Sequence, residues 1–215
     1  MAIVGANKKF GIKEVADVAF YEVGKVKVES NGTVTALANP LFKFDTLKVS
    51  NLEFTGETAD ARGGKGNAVL MSWDHSREAT LTLQDALLSI DTLSALLGTA
   101  NNTGNVITIS ANTFPGTYTV VGQTYARDED GVDNLMTFVI YKAKVNSEAT
   151  LTMEAEGDPT VLDLTLKVLR SAKDESIGAA DGDMIKLIFV DGTKDTLPTM
   201  NFSSGTIITG PTAST

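Results

Sequence analysis

Tyr118 to Val145 reads YTVVGQTYARDEDGVDNLMTFVIYKAKV, and its period is two. Apolar residues alternate through Tyr118–Ala126, break at Asp130-Gly131, and alternate again through Met136–Val145. Alternation rich in Val, Ile, Thr and aromatics, interrupted by Asp-Gly, predicts two strands joined by a hairpin turn. The same pattern recurs outward from this pair: Lys25–Ser30, Val106–Ser110, Ala149–Glu156, Val161–Leu169 and Met184–Val190 all alternate. Asn31-Gly32, Asn39-Pro40, Pro115-Gly116, Gly157-Asp158-Pro159, Gly182-Asp183 and Asp191-Gly192 punctuate them. Eight or more antiparallel strands imply a mainly β chain with two packed antiparallel sheets, a sandwich or partial barrel.

One segment departs from this period. From Leu83, apolar residues fall at Ala86, Leu87, Ile90, Leu93 and Leu97, the spacing of an amphipathic helix. Thr82 with Asp85 would cap its start, and Gly98 would end it in a left-handed conformation. The expectation is one flanking α-helix on the β body.

The chain has 215 residues, enough for one large β domain with a proper core. We take residues 1–215 as a single domain with long loops around 31–40 and 55–70 and a flexible tail at 205–215, where the sequence is small and polar. Cysteine is absent, which excludes disulfides, thiol nucleophiles and thiolate metal sites. No apolar run approaches a membrane span or a signal-peptide core, so a cytosolic product without membrane contact is expected. The net charge of −9 argues against a protein that grips nucleic acid. It suits a conduit along which a polyanion slides, and equally a plain soluble surface.

Arg62-Gly63-Gly64-Lys65-Gly66-Asn67, followed by Trp73-Asp74-His75-Ser76, is the stretch that most resembles an active site. It fails each test. A P-loop requires Gly, four residues, then Gly-Lys-Ser/Thr, and a dinucleotide fingerprint requires G-x-G-x-x-G ahead of a helix. His75 is the sole histidine, and neighbours on a strand point to opposite faces, so Asp74, His75 and Ser76 do not converge without a special turn. The glycines are better read as a flexible or interface-forming loop. Asp128-Glu129-Asp130-Gly131 has its glycine two positions too early for a calcium loop and reads as a solvated hairpin tip. Glu154 and Glu156 share one strand face. No catalytic residue, cofactor or metal ligand is assigned, and the expectation is a protein that is not an enzyme.

Four segments carry a resemblance. FGIKEVADVAFYEV (Phe10–Val23), FKFDTLKVSNLEFTGETADARGGKGN (Phe42–Asn67), SWDHSREATLTLQDALLSIDTLSALLG (Ser72–Gly98) and YKAKVNSEATLTMEAEGDPTVLDLTLKVLR (Tyr141–Arg170) resemble the tail tube proteins of tailed bacteriophages, most of all large contractile-tailed phages of Gram-positive hosts. The resemblance runs in order from Phe10 to about Val190, and its most specific part is A-R-G-G-x-G-N followed by W-D, R-E-A-T and L-x-D-A-L-L-S. It implies a structural virion protein, made in the host cytoplasm, whose hexameric rings stack into a tube through which DNA is ejected without specific binding. Sheath, tape measure and baseplate proteins are the further partners it implies. Within that frame Arg62, Gly63, Gly64, Lys65, Gly66, Asn67 and Trp73 are the candidate inter-subunit contacts, with Trp73 either an interface anchor or ordinary core. Asp128, Glu129, Asp130, Glu154 and Glu156 are the candidate acidic loop or lumen residues. A baseplate or other virion component of related fold, and a carbohydrate- or cell-surface-binding sandwich, are the alternatives; with one Trp in the chain, a sugar platform is poorly provided for.

Overall fold

The computed structural model describes residues 9–85, 93–94, 97–98, 106–109, 111–112, 114–146, 150–151, 162–191 and 200–209. In chain order the strands are β1 (Phe10–Ile12), β2 (Asp17–Glu22), β3 (Val26–Val28), β4 (Val34–Ala36), β5 (Phe42–Phe44), β6 (Leu47–Gly63), β7 (Ala68–Asp85), β8 (Thr117–Asp128), β9 (Asp133–Val145), β10 (Thr150–Leu151), β11 (Leu162–Val168), β12 (Ile185–Val190) and β13 (Gly205–Ile208). They form two antiparallel sheets. The larger runs β5-β2-β8-β9-β11-β7-β6, with β1 added to β8, β10 to β11 and β12 to β9; the smaller runs β13-β4-β3.

The β8–β9 hairpin is the centre, as its alternation predicts. Its two faces feed two cores, because successive side chains point to opposite sides. Val120, Phe138 and Ile140 join Val18, Phe20, Phe42, Phe44, Leu81, Leu83, Leu164 and Leu166 on one side. Val121, Val139 and Tyr141 join Ala19, Tyr21, Val26, Val28, Val34, Ile207 and Ile208 on the other, under the small sheet. Gly122 explains itself here: it lies opposite Phe138, and a Cβ would stand 2.1 Å from that ring. The glycine is the space the ring occupies.

The second core is clamped from outside. Ile177 and Ala179, in the turn-rich segment before β12, are buried in it. Gly178 carries φ +72°, and a Cβ there would stand 1.9 Å from the Val28 carbonyl oxygen. Its own carbonyl accepts from the Tyr141 hydroxyl at 3.1 Å and from Lys186 Nζ at 2.6 Å. Burial raises the Tyr141 pKa, while the hydrogen bond from Lys186 pulls it back. On the other side of the small sheet, the Tyr21 hydroxyl donates to the Phe202 carbonyl at 2.6 Å, and burial holds its pKa well above the usual phenol range.

Three readings need correction. Leu83 and Asp85 do not begin a helix. T-L-T-L-Q-D continues β7, because β11 and β6 pair with it on both sides through Asp85 and draw Leu81 and Leu83 into the first core. Asp85 is buried and bonded to the Thr46 hydroxyl at 2.5 Å rather than capping a helix. The flanking helix is therefore not supported. Beyond Asp85, Leu93 and Ser94 carry helical geometry, Leu97 N–H donates to the Leu93 carbonyl at 3.0 Å, and Gly98 takes φ +72°; the rest of that span lies outside the described residues. Residues 55–70 are not a loop but the arms of β6 and β7 around a short turn, and 31–40 contains β4. The 205–215 segment is not wholly a tail, since Gly205–Ile208 pair with β4 and bury Ile207 and Ile208; residues 210–215 lie outside the described residues.

Candidate assembly surface

β6 and β7 are far longer than the body they belong to. Up to Phe54, opposite Ala79, they are ordinary members of the sheet. Beyond it, among the described residues, Thr55–Gly63 and Ala68–Glu78 pair only with each other, a two-stranded ribbon of roughly 30 Å at about 3.3 Å per residue. Almost every residue along it is exposed. A two-stranded hairpin standing alone with both faces exposed is marginally stable in water.

The glycine run is the tip of that ribbon. Gly64, Gly66 and Asn67 take φ of +77°, +93° and +52°, and Asn67 N–H closes the turn on the Gly64 carbonyl at 3.2 Å. Left-handed conformations explain why glycine stands at these positions, and why the segment has no other motif spacing. Two bulges shift the register, one at Ala61/Arg62 and one at Thr55/Glu57, where Ser76 takes φ +57°. Bulges twist an exposed ribbon and re-aim its side chains.

Between the bulges the register sorts the ribbon into two unlike faces. Ala59 lies opposite Trp73, Ala61 opposite Met71 and Glu57 opposite His75; the alternate pairs are Thr58 with Asp74 and Asp60 with Ser72. Directly opposed residues share a face. One face is thus the apolar strip Ala59, Ala61, Met71 and Trp73, ending at the His75–Glu57 contact of 3.3 Å, and the other is uniformly polar. Trp73 is 50% exposed, Met71 64% and Leu70 70%. The structure therefore takes Trp73 out of the monomer's core.

All seven candidate contacts, Arg62 to Asn67 and Trp73, lie on this one ribbon. Arg62 is already engaged, with Nη2 2.9 Å from Asp60 Oδ2. His75 faces Glu57 across the ribbon, not Asp74 or Ser76.

The acidic hairpin tip is organised for its own turn. Asp128 is buried, and its carboxylate accepts from the Asp130 and Val132 amides at 3.1 and 2.8 Å and from the Asn134 side chain at 3.4 Å. Asp128 thus lies in the acidic hairpin tip, where the turn uses its carboxylate as a cap. Glu129 and Asp130 are exposed. Glu154 and Glu156 lie outside the described residues. The acid that sequence reasoning missed is Asp133, held by Arg127 at 2.7 and 2.9 Å and by Lys13 at 3.0 Å. Those partners hold its pKa at about 2.

A second surface also escaped sequence reasoning. Leu187 and Phe189 lie opposite Phe138 and Met136, so they share the face of the first core, yet both are exposed. Ile12 lies opposite Ala126 on β8, and Phe10, two residues before it, brings its ring to 4.8 Å from Phe189. The signal was present in MIKLIFV: a half-buried strand should be polar on its outer face, and this one is apolar on both.

The model of the YomU/Tube protein family matches residues 10–105 and 99–182, which spans both the ribbon and the central hairpin. The chain belongs to the YomU/Tube protein family. Membership agrees with the resemblance read from the sequence and makes this YomU/Tube chain a phage tail-related structural protein. Among solved structures it is similar to a chain of the "Cryo-EM structure of the anti-feeding prophage (AFP) baseplate, 6-fold symmetrised", at 14% identity and a TM-score of 0.44, covering 73% of this chain and 89% of that one. A search among curated proteins gives no match. Among the described residues of this YomU/Tube chain, no helix is long and apolar enough to cross a membrane.

Proposed function

We propose that this chain is the subunit of a phage tail tube: six copies close into a ring, rings stack, and DNA passes through the lumen. The observation that carries this reading is the ribbon, a long two-stranded extension with one apolar face that stays exposed and that no other described strand covers. A structural extension of that length has a natural role when a neighbouring subunit completes it. The net charge of −9 supports passage of DNA without specific binding, since a surface that does not neutralise phosphates does not hold them. On this reading the protein has no catalytic role, is made in the host cytoplasm and ends in the virion tail, where sheath, tape measure and baseplate proteins are its further partners. Arg62, Lys65 and the tip glycines contact a neighbour, and Trp73 anchors the contact.

Electron microscopy of the purified protein tests it. Hollow tubes or stacked six-fold rings are expected. Isolated rings that never stack would favour a baseplate component, and a monomer that persists at high concentration would overturn both.

A further inference from the structure

Among the described residues, nothing partners the ribbon's apolar strip and nothing covers an apolar platform on the body. We infer that they are two halves of one contact, the Met71–Trp73 face of one copy seating on the Phe10, Ile12, Leu187 and Phe189 platform of a second copy. The inference deepens the tube reading and rests on it for the identity of the occupant.

The platform is suited to this by its rigidity. Its side chains stand on strands paired to β8 and β9, and their register neighbours on the same face, Ala126 and Phe138, are buried. It continues into a groove of about 360 Å³ lined by Phe54, Arg77, Asp183, Met184, Ile185 and Leu187, where the first core opens between β6 and β12. Ile12 is 63% exposed, and Phe10 and Leu187 are each about half exposed. An apolar cluster of this kind on a soluble chain marks an interaction surface.

The ribbon matches in shape as well as polarity. Ala59 and Ala61 stand opposite the bulky Trp73 and Met71, so the strip is low on one strand and high on the other, and the two large side chains stand clear to enter a partner surface. Its reverse face, Thr58, Asp60, Ser72 and Asp74, is polar and suited to water, so one apolar surface, not two, requires covering.

The second copy follows from the arithmetic of surfaces. Ribbon against ribbon would be a closed two-fold contact that leaves every platform bare. Ribbon against platform uses unlike surfaces of the same chain, so each copy gives one and receives one, and the contact repeats around a ring or along a stack. Among the described residues β12 pairs only with β9, which leaves its other edge open beside the platform for an incoming strand.

The chain contains no cysteine, which gives the test a silent background. Met71→Cys protein is mixed with tagged Leu187→Cys protein under mild oxidation, and cross-chain disulfides are measured against a control mixture of Met71→Cys with Glu53→Cys, which lies on the polar outer face of β6. Both test positions are exposed, so the fold is expected to survive, as circular dichroism checks. The Met71–Leu187 disulfide should exceed the control by about tenfold or more, because a seated ribbon raises the local thiol concentration. Equal yields, or Met71–Met71 dimers in excess, would overturn the inference. If microscopy shows tubes while the cross-link stays at control level, the seat is wrong and the tube reading stands. If no assembly forms, both fail.

Discussion

Replacing Trp73 with alanine separates an interface anchor from a core residue. Trp73 is 50% exposed in the isolated chain and belongs to neither core. A large aromatic buries about 150–250 Å², so roughly 75–125 Å² remains to be covered on assembly. At about 25 cal/mol per Å² this is worth about 2–3 kcal/mol for each contact made. A difference of that size weakens association roughly 20- to 150-fold. The assay is the concentration at which assemblies appear by sedimentation velocity, with denaturant unfolding of the monomer measured in parallel. The assembly threshold should rise by that factor, while the main unfolding transition stays in place, because the ribbon is a local extension of the sheet. An unchanged threshold would refute the anchor role. A global loss of about 3–5 kcal/mol, the cost of truncating a core tryptophan, would refute the placement itself.

Other outcomes follow from the same geometry. Because Trp73 is the chain's only tryptophan, its emission should shift to the blue when the wild-type protein assembles, and a constant spectrum across the threshold would count against its burial. Reversing charge with Arg62→Glu and Lys65→Glu should weaken assembly and leave the monomer's circular dichroism unaltered; unaltered assembly would remove the tip from the contact. Gly178→Ala should cost about 2–5 kcal/mol in a denaturation curve, combining a left-handed alanine with a clash against the Val28 carbonyl. By carboxyl NMR, Asp133 should titrate at about 2, with Arg127→Gln moving it up toward 3.8. A depressed carboxylate stabilises fully above its unfolded value and loses that contribution as pH falls through the folded one, so the Lys13–Asp133–Arg127 strap should hold at pH 5 and fail only as pH falls through about 2.

The body of the fold was legible because its strands obey the simplest rule. β8, β9, β11 and β12 are alternating runs bounded by turn residues, and the structure places each within one to three residues of where the period puts it. The ribbon was harder. Its arms, TGETADARG and AVLMSWDHSRE, lack a continuous apolar stripe, since outside the body neither face meets a core, and two bulges break the phase. Leu83 to Leu97 fits a helical spacing as well as T-L-T-L fits a strand, and pairing on both sides of β7 decided for the strand as far as Asp85. The site was half legible: the glycine run and Trp73 were singled out and do lie together, but as a turn and an exposed strip rather than a loop beside a core. The platform was missed because Phe10 and Phe189 are far apart in sequence, and only the register of β1 on β8 and β12 on β9 brings them together.

The most direct test of the central claim is electron microscopy of the purified wild-type chain, concentrated until its light scattering rises. Hollow tubes built of stacked six-fold rings are the predicted result. A monomer at every concentration, with the ribbon intact, would contradict it.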